Sequence, residues 1–196
     1  MSEECLTVHS KIPPTALTVV DDFLDPPIPE EELDRIDKMR DKTKPGRYNW
    51  ALKEDLPKLS PDLGRFYKRA VEIMGLDEGQ IVGVEFWINI FGPGEGIHMH
   101  ADIDETLYRK TRRMCCALAG TMAFGEPRDL KGGSFVFEDG VMIRPRRNRA
   151  VLFFGGVRHG VEPVTQGERR AVLMAFWHRV PTAYENHPGH VKAPSK

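Results

Sequence analysis

The sequence predicts a mainly β domain with its helices gathered at the N-terminus, an α+β arrangement built on an antiparallel sandwich or barrel. Three observations carry this expectation. Two amphipathic helical patterns lie before about residue 80. From there to residue 177 the chain breaks into about eight short apolar or alternating runs, cut by Gly, Pro and Asp. No helical periodicity separates those runs, which disfavours a parallel α/β sheet. The 196 residues fit one domain, large enough to bury most of the surface an unfolded chain would expose. We divide it into an N-terminal strand and helices (1–79), a β core (80–178) and an irregular tail (179–196).

Residues 1–15 read as a loose lead-in. Ala16–Leu24 reads as a strand and turn, stopped by Asp25-Pro-Pro. Pro29–Arg40 predicts a short helix: proline sits in the first turn, acids cluster at the start, and Leu33, Ile36 and Met39 share a face. A polar connection containing Pro45-Gly46 follows. Ser60-Pro61 opens a second helix as N-cap and N1, Leu63, Phe66, Tyr67, Ala70, Val71 and Met74 repeat at helical spacing, and Gly75 closes it. The expected strands are Gln80–Phe91, Ile97–Ile103, Arg113–Phe124, Ser134–Glu138, Val141–Arg144, Ala150–Phe154, Gly160–Val164 and Arg169–Trp177. Asp139-Gly140 predicts a hairpin between two of them. Thr165-Gln-Gly-Glu predicts a turn joining the last two.

Charge and cysteine usage exclude several classes. A formal net charge of −1 gives no general pull toward nucleic acid or anionic lipid. Three cysteines, two of them adjacent, make no disulfide framework, which favours a reducing, cytoplasmic setting. The acidic N-terminus lacks the pattern of a signal peptide, and no apolar run approaches the ~20 residues a membrane helix needs. Arg144, Arg146, Arg147 and Arg149 form a basic cluster, read first as a solvated face and second as an attractor for an acidic substrate.

Two segments carry chemistry. Gly92-Pro-Gly-Glu-Gly-Ile-His-Met-His-Ala-Asp102 offers His100 and Asp102 at i and i+2, a spacing that puts both on one face of a strand. Arg158–Arg169 adds the imidazole of His159 and, ten residues later, the guanidinium of Arg169. Two His and one carboxylate on one side of a metal, with three positions open, is the ligand set of non-haem Fe(II) oxygenases. On the last strand Arg169, Ala171, Leu173 and Ala175 share a face, so a cation would stand beside small apolar residues unless an anion meets it. Arginine suits bidentate capture of a carboxylate. Strand register leaves Arg170 as the competitor. His98 alternates with His100 and would face inward if the strand runs unbroken. Trp87 and Asn89 lie on the preceding strand within reach of the same pocket.

With these residues in view, the chain resembles the Fe(II)- and 2-oxoglutarate-dependent dioxygenases, especially the prolyl 4-hydroxylase-like branch, over about residues 80–177. The resemblance lies in His100-Ala-Asp102, Gly132-Gly-Ser-Phe-Val-Phe137, Pro145 through Ala150-Val-Leu-Phe-Phe154, and His159 through Arg169. It implies a double-stranded β-helix, the jelly roll shared with cupins. It also implies Fe(II) on His100, Asp102 and His159, and 2-oxoglutarate held by Arg169. Ascorbate enters as a candidate reductant. The implied reaction consumes O2 and 2-oxoglutarate, gives succinate and CO2, and hydroxylates an amino-acid or peptidyl substrate, a prolyl residue being one candidate.

Two rivals follow from the same residues. Gly92, His98, His100 and Glu105 match the first motif of the cupins, which would bind a metal through His98, His100, Glu105 and His159 without 2-oxoglutarate. A jelly roll that binds a partner without catalysis is the other. Nucleic-acid demethylation is disfavoured by the charge and by the lack of an aromatic–basic stripe.

Overall fold

The computed structural model describes residues 17–39 and 48–186. The expected lead-in, Arg40, the Pro45-Gly46 connection and the end of the tail with Pro188 and Pro194 lie outside the described residues.

The N-terminal layer forms as its patterns dictate. Strand β1 is Leu17–Val20 and helix α1 is Glu30–Lys38, which buries Leu33 and Ile36. A short strand β2, Asn49–Leu52, and a single turn α2, Leu56–Leu59, precede helix α3, Pro61–Met74. Ser60 caps α3 by accepting from the Leu63 amide at 3.2 Å, and Gly75 ends it in the left-handed conformation at φ 61°. The sequence reading missed β2 and α2. Each is only four residues long, and β2 exists by pairing with a strand more than thirty residues on, a contact with no local signal.

The core follows: β3 Gly83–Phe91, β4 Ile97–His100, α4 Glu105–Thr111, β5 Ala119–Phe124, β6 Arg128–Gly132, β7 Phe135–Phe137, β8 Met142–Ile143, β9 Ala150–Phe154, β10 His159–Val161 and β11 Val164–Trp177. One antiparallel sheet runs β1-β9-β5-β11-β3-β2, with β6 also paired to β11, and a smaller one runs β4-β10-β7-β8. Pleating sends alternate residues of the larger sheet to opposite sides. Val84, Phe86, Ile88, Val172, Met174 and Phe176 pack outward on Leu33, Ile36, Leu63 and Phe66 of the helices. Met122, Phe124, Val151, Phe153 and Ala171 pack inward with Phe135, Phe137 and Val161 of the smaller sheet. These apolar clusters, each mostly below a tenth exposed, hold the two layers together by removing apolar area from water.

Three expectations are corrected. Thr165-Gln-Gly-Glu is not a turn: β11 runs through it from Val164 to Trp177, and β10 pairs with β4 and β7 instead. The segment pairs with β6 through register shifts around Gln166. Gly167, at φ 77°, absorbs the bulge, and a Cβ there would lie 2.2 Å from the Arg128 carbonyl oxygen. The glycine signalled a special backbone geometry, and the tertiary partner decided that it is a bulge. Second, the stretch between the expected strands ending at Phe124 and beginning at Ser134 is not strand-free, because it holds β6. Third, a helix does interrupt the strands. Asp104 caps α4, with Glu105 in its first turn and Arg109 and Lys110 in its last, a start-and-stop signature present in the sequence.

Three arginines of the basic cluster pair with acids of the same chain. Arg146 and Arg149 bond Asp21, and Arg147 faces Glu126 at 3.6 Å. The pairing with Asp21 joins the turn after β1 to the loop before β9.

Candidate metal centre

β4 and β10 are paired so that His100 and His159 stand directly opposite one another, with ring centroids 4.5 Å apart. Each imidazole turns its Nδ1 to a backbone carbonyl two residues earlier, His98 at 2.9 Å and Val157 at 3.0 Å. A carbonyl only accepts, so each Nδ1 carries a proton, and in the neutral ring Nε2 is then the atom with a lone pair for a metal. Both Nε2 atoms lie 3.8 Å from Oδ1 of Asp102. The three ligand-type atoms fall within 4.8 Å of one another, the sole such cluster of His, Cys, Asp and Glu among the described residues.

The route by which Asp102 arrives differs from expectation. β4 ends at His100, so no unbroken strand carries the carboxylate. The segment after it is pinned to the next stretch of chain instead: the Ala117 amide donates to the Asp102 carbonyl at 3.0 Å, and Ile103 bridges Cys116. Gly120 makes room, since a Cβ there would sit 3.1 Å from Asp102 Oδ2 and 2.5 Å from the Phe153 ring. His159 is buried against Phe153 and Phe135, and that burial is the main force holding its pKa below the ordinary value. The neutral ring is the form that binds metal.

A cavity of about 730 Å³ opens beside the trio, and Trp87, Asn89 and His98 all line it. His98 stands exposed at its rim, within the part of β4 where the pairing with β10 shifts register. Trp87 stacks on Tyr48 at 4.1 Å, and the Asn89 side-chain nitrogen is buried with no hydrogen-bond partner. Neither His98 nor Glu105 joins the ligand cluster, and Glu105 pairs with Arg109 at 2.9 Å. The cupin ligand set is therefore not assembled.

The two arginines part company across the sheet. Arg169 points inward and is 0% exposed. Its Nε donates to the Gly133 carbonyl at 3.0 Å, its Nη2 meets the Met122 sulfur at 2.9 Å, and its Nη1 has no partner. The guanidinium lies over Phe91 and Phe124, and burial pulls its pKa down to about 9. Phe91 also lines the cavity. Arg170 points outward and binds Glu30 and Asp34 of α1.

Residues 86–179 match the family model of the 2OG-Fe(II) oxygenase superfamily. Over this segment, just under half of its length, the chain is similar to that superfamily. No curated protein matches the chain. Among solved structures, the viral collagen prolyl hydroxylase of Paramecium Bursaria Chlorella virus-1 is 17% identical with a TM-score of 0.55, covering 82% of this chain and 95% of its own. A prolyl-4-hydroxylase of Pseudomonas putida is 20% identical with a TM-score of 0.55, covering 84% and 94%. A 2OG-Fe(II) oxygenase family oxidoreductase of Burkholderia pseudomallei is 15% identical with a TM-score of 0.51, covering 91% and 90%. The fold that this chain shares with these structures is the double-stranded β-helix. No helix among the described residues is long and apolar enough to cross a membrane.

Arg170 then has a structural role, tying β11 to α1. Arg170→Met is expected to lower stability by about 1–3 kcal/mol, since it strips charge-assisted bonds from α1. Urea unfolding checks the loss, and binding of 2-oxoglutarate is expected to stay at the wild-type level.

Proposed function

We propose that the protein is an Fe(II)- and 2-oxoglutarate-dependent dioxygenase that hydroxylates an amino-acid or peptidyl substrate and releases succinate and CO2. The observation that carries this reading is the Arg169 guanidinium, buried in the barrel interior with no carboxylate paired to it among the described residues. A trio of His, Asp and His suits many metals, whereas an unpaired cation buried behind Phe91, which lines the cavity at the trio, is costly unless an organic anion completes it. A diacid with one carboxylate on Arg169 and its 2-oxo acid end on the metal answers both.

The donor set fits Fe(II): two neutral imidazoles and one carboxylate, with three positions left open. When bound, Fe(II) and 2-oxoglutarate supply the oxidising chemistry, with O2 as co-reactant. The chain supplies position. The carbonyls of His98 and Val157 hold the two rings in the tautomer that presents Nε2. Arg169 fixes the far carboxylate, and Asn89 offers an amide donor at the cavity wall. Phe135 and Phe153 shield the buried side of His159 from water.

Prolyl hydroxylase names on two neighbouring structures support a hydroxylase, with prolyl peptides as the first substrate to try. The division into an N-terminal layer at 1–79 and a catalytic core at 80–178 belongs to this proposal too. The test is turnover. Protein loaded with Fe(II) under O2 is expected to convert 2-oxoglutarate to succinate in the presence of amino acids or proline-containing peptides, and a chelator is expected to stop it. Absence of succinate across the whole panel, with intact fold, would leave the non-catalytic module as the better reading.

A further inference from the structure

We propose that a recess beside the metal centre binds a cationic side chain of the substrate, a guanidinium or ammonium group, against Glu85. This deepens the oxygenase reading and rests on it for calling the bound molecule a substrate. The inward row of β3 runs Glu85, Trp87, Asn89, Phe91, and its pairing with β11 sets Phe91 opposite Arg169 and Glu85 opposite Ala175. The strand thus carries a candidate anion site at one end and a carboxyl at the other, with Trp87 between them. A second cavity, of about 290 Å³, lies at the carboxyl end. Tyr48, Trp87, Trp177 and Tyr184 wall it, Glu85 lines it, and it shares His100 and Asp102 with the larger cavity.

Aromatic rings around one carboxyl favour an organic cation, through cation–π attraction and a charge-assisted hydrogen bond. The other acids of the recess are already used. Asp104 caps α4 and accepts from the Thr182 amide at 2.7 Å, and Glu105 pairs with Arg109. Glu85 Oε2 accepts from Trp177 Nε1 at 3.0 Å, and among the described residues no cation forms a salt bridge with it. A glutamine would accept that hydrogen bond without placing an ionisable group in a poorly hydrated site. Burial pushes the Glu85 carboxyl up to about 8, against hydrogen bonds from Tyr184 and Trp177 and with help from the charges of Asp102 and Asp104. The recess also holds Arg109, but that cation pairs with Glu105, so an entering cation supplies the opposite charge that Glu85 itself lacks. Because the recess adjoins His100 and Asp102, a cation held there leaves the aliphatic chain attached to it beside the metal centre.

Isothermal titration tests this with matched probes: L-arginine against its neutral isostere L-citrulline, L-lysine against L-norleucine, and the N-acetyl amides of all four. Titrations use the protein with and without Fe(II) and 2-oxoglutarate, without O2. At least one cationic probe is expected to bind about tenfold or more tighter than its neutral partner, and Glu85→Gln is expected to bring the pair within about twofold. Preference for the free amino acid or for the capped form tells whether the cation arrives on a metabolite or in a peptide. Trp87→Leu, which leaves the Glu85 hydrogen bonds in place, is expected to weaken the cation severalfold and covers the case in which the Glu85 variant does not fold. Equal affinity for charged and neutral probes, absence of saturable binding by every cationic probe, or discrimination that survives in Glu85→Gln would overturn the proposal. Binding of 2-oxoglutarate to the wild-type protein is read separately. If it fails while cation discrimination persists, the oxygenase reading falls and the recess stands.

Discussion

Asp102→Ala is expected to abolish retention of Fe(II) and 2-oxoglutarate turnover together. The carboxylate is the anionic member of the trio, equidistant at 3.8 Å from the Nε2 atoms of His100 and His159. Without it, two neutral imidazoles would face the metal with no charge to balance it. Loss of an outer partner of a metal ligand typically costs about 10–100-fold in metal affinity or activity, and loss of the ligand itself is expected to exceed that. The backbone should survive, because the Ala117 amide bonds the Asp102 carbonyl rather than its side chain. Metal content after gel filtration, succinate release and a thermal melt measure the three statements. A variant that keeps stoichiometric Fe(II) would remove Asp102 from the ligand set, and a variant that unfolds would show the side chain to be structural.

Arg169→Met is expected to separate stability from function with opposite signs. Methionine keeps most of the volume and discards a cation whose Nη1 has no partner. Replacing buried ionic groups by packed apolar ones is often neutral or stabilising by about 1–4 kcal/mol, so the ligand-free variant is expected to unfold at the same or a higher urea midpoint. Affinity for 2-oxoglutarate should fall by about 10–150-fold, the equivalent of one charge-assisted pair worth roughly 1.5–3 kcal/mol. The same sign follows for ligand-induced stabilisation, which should be present in the wild type and lost in the variant. An Arg169→Met protein that is less stable than the wild type yet binds 2-oxoglutarate normally would show the guanidinium to be a core strut. The Arg170→Met variant makes the internal contrast, since its guanidinium is spent on Glu30 and Asp34 of α1.

The outer helices, the strands rich in β-branched and aromatic residues, and the Asp139-Gly140 hairpin were legible because each is specified within a few residues. Ser60 and Gly75 delimit α3 as expected, and β7 turns back onto β8 around Gly140 at φ 90°. Errors arose where a distant partner overrode a local signal. Thr165–Glu168 has turn composition yet pairs with β6, and Asn49–Leu52 is a strand because β3 lies next to it. The helix α4 is a different case: Asp104 announces it, but the run is short and sits between strands.

The sequence by itself determined which side chains have the chemistry for a metal and a diacid, since His100, Asp102, His159 and Arg169 are ligand-type residues whatever the fold. It also determined the alternation that sends Arg169 and Arg170 to opposite faces. Which of those faces is the interior was decided by the tertiary structure, because α1 and α3 cover one side of the larger sheet and the smaller sheet closes the other. The same closure brought β10 against β4, set His159 opposite His100, excluded His98 and Glu105 from the cluster, and placed Glu85 in a recess that no local pattern reveals. Residue type is written one position at a time, whereas burial and convergence depend on what the rest of the chain packs against each position.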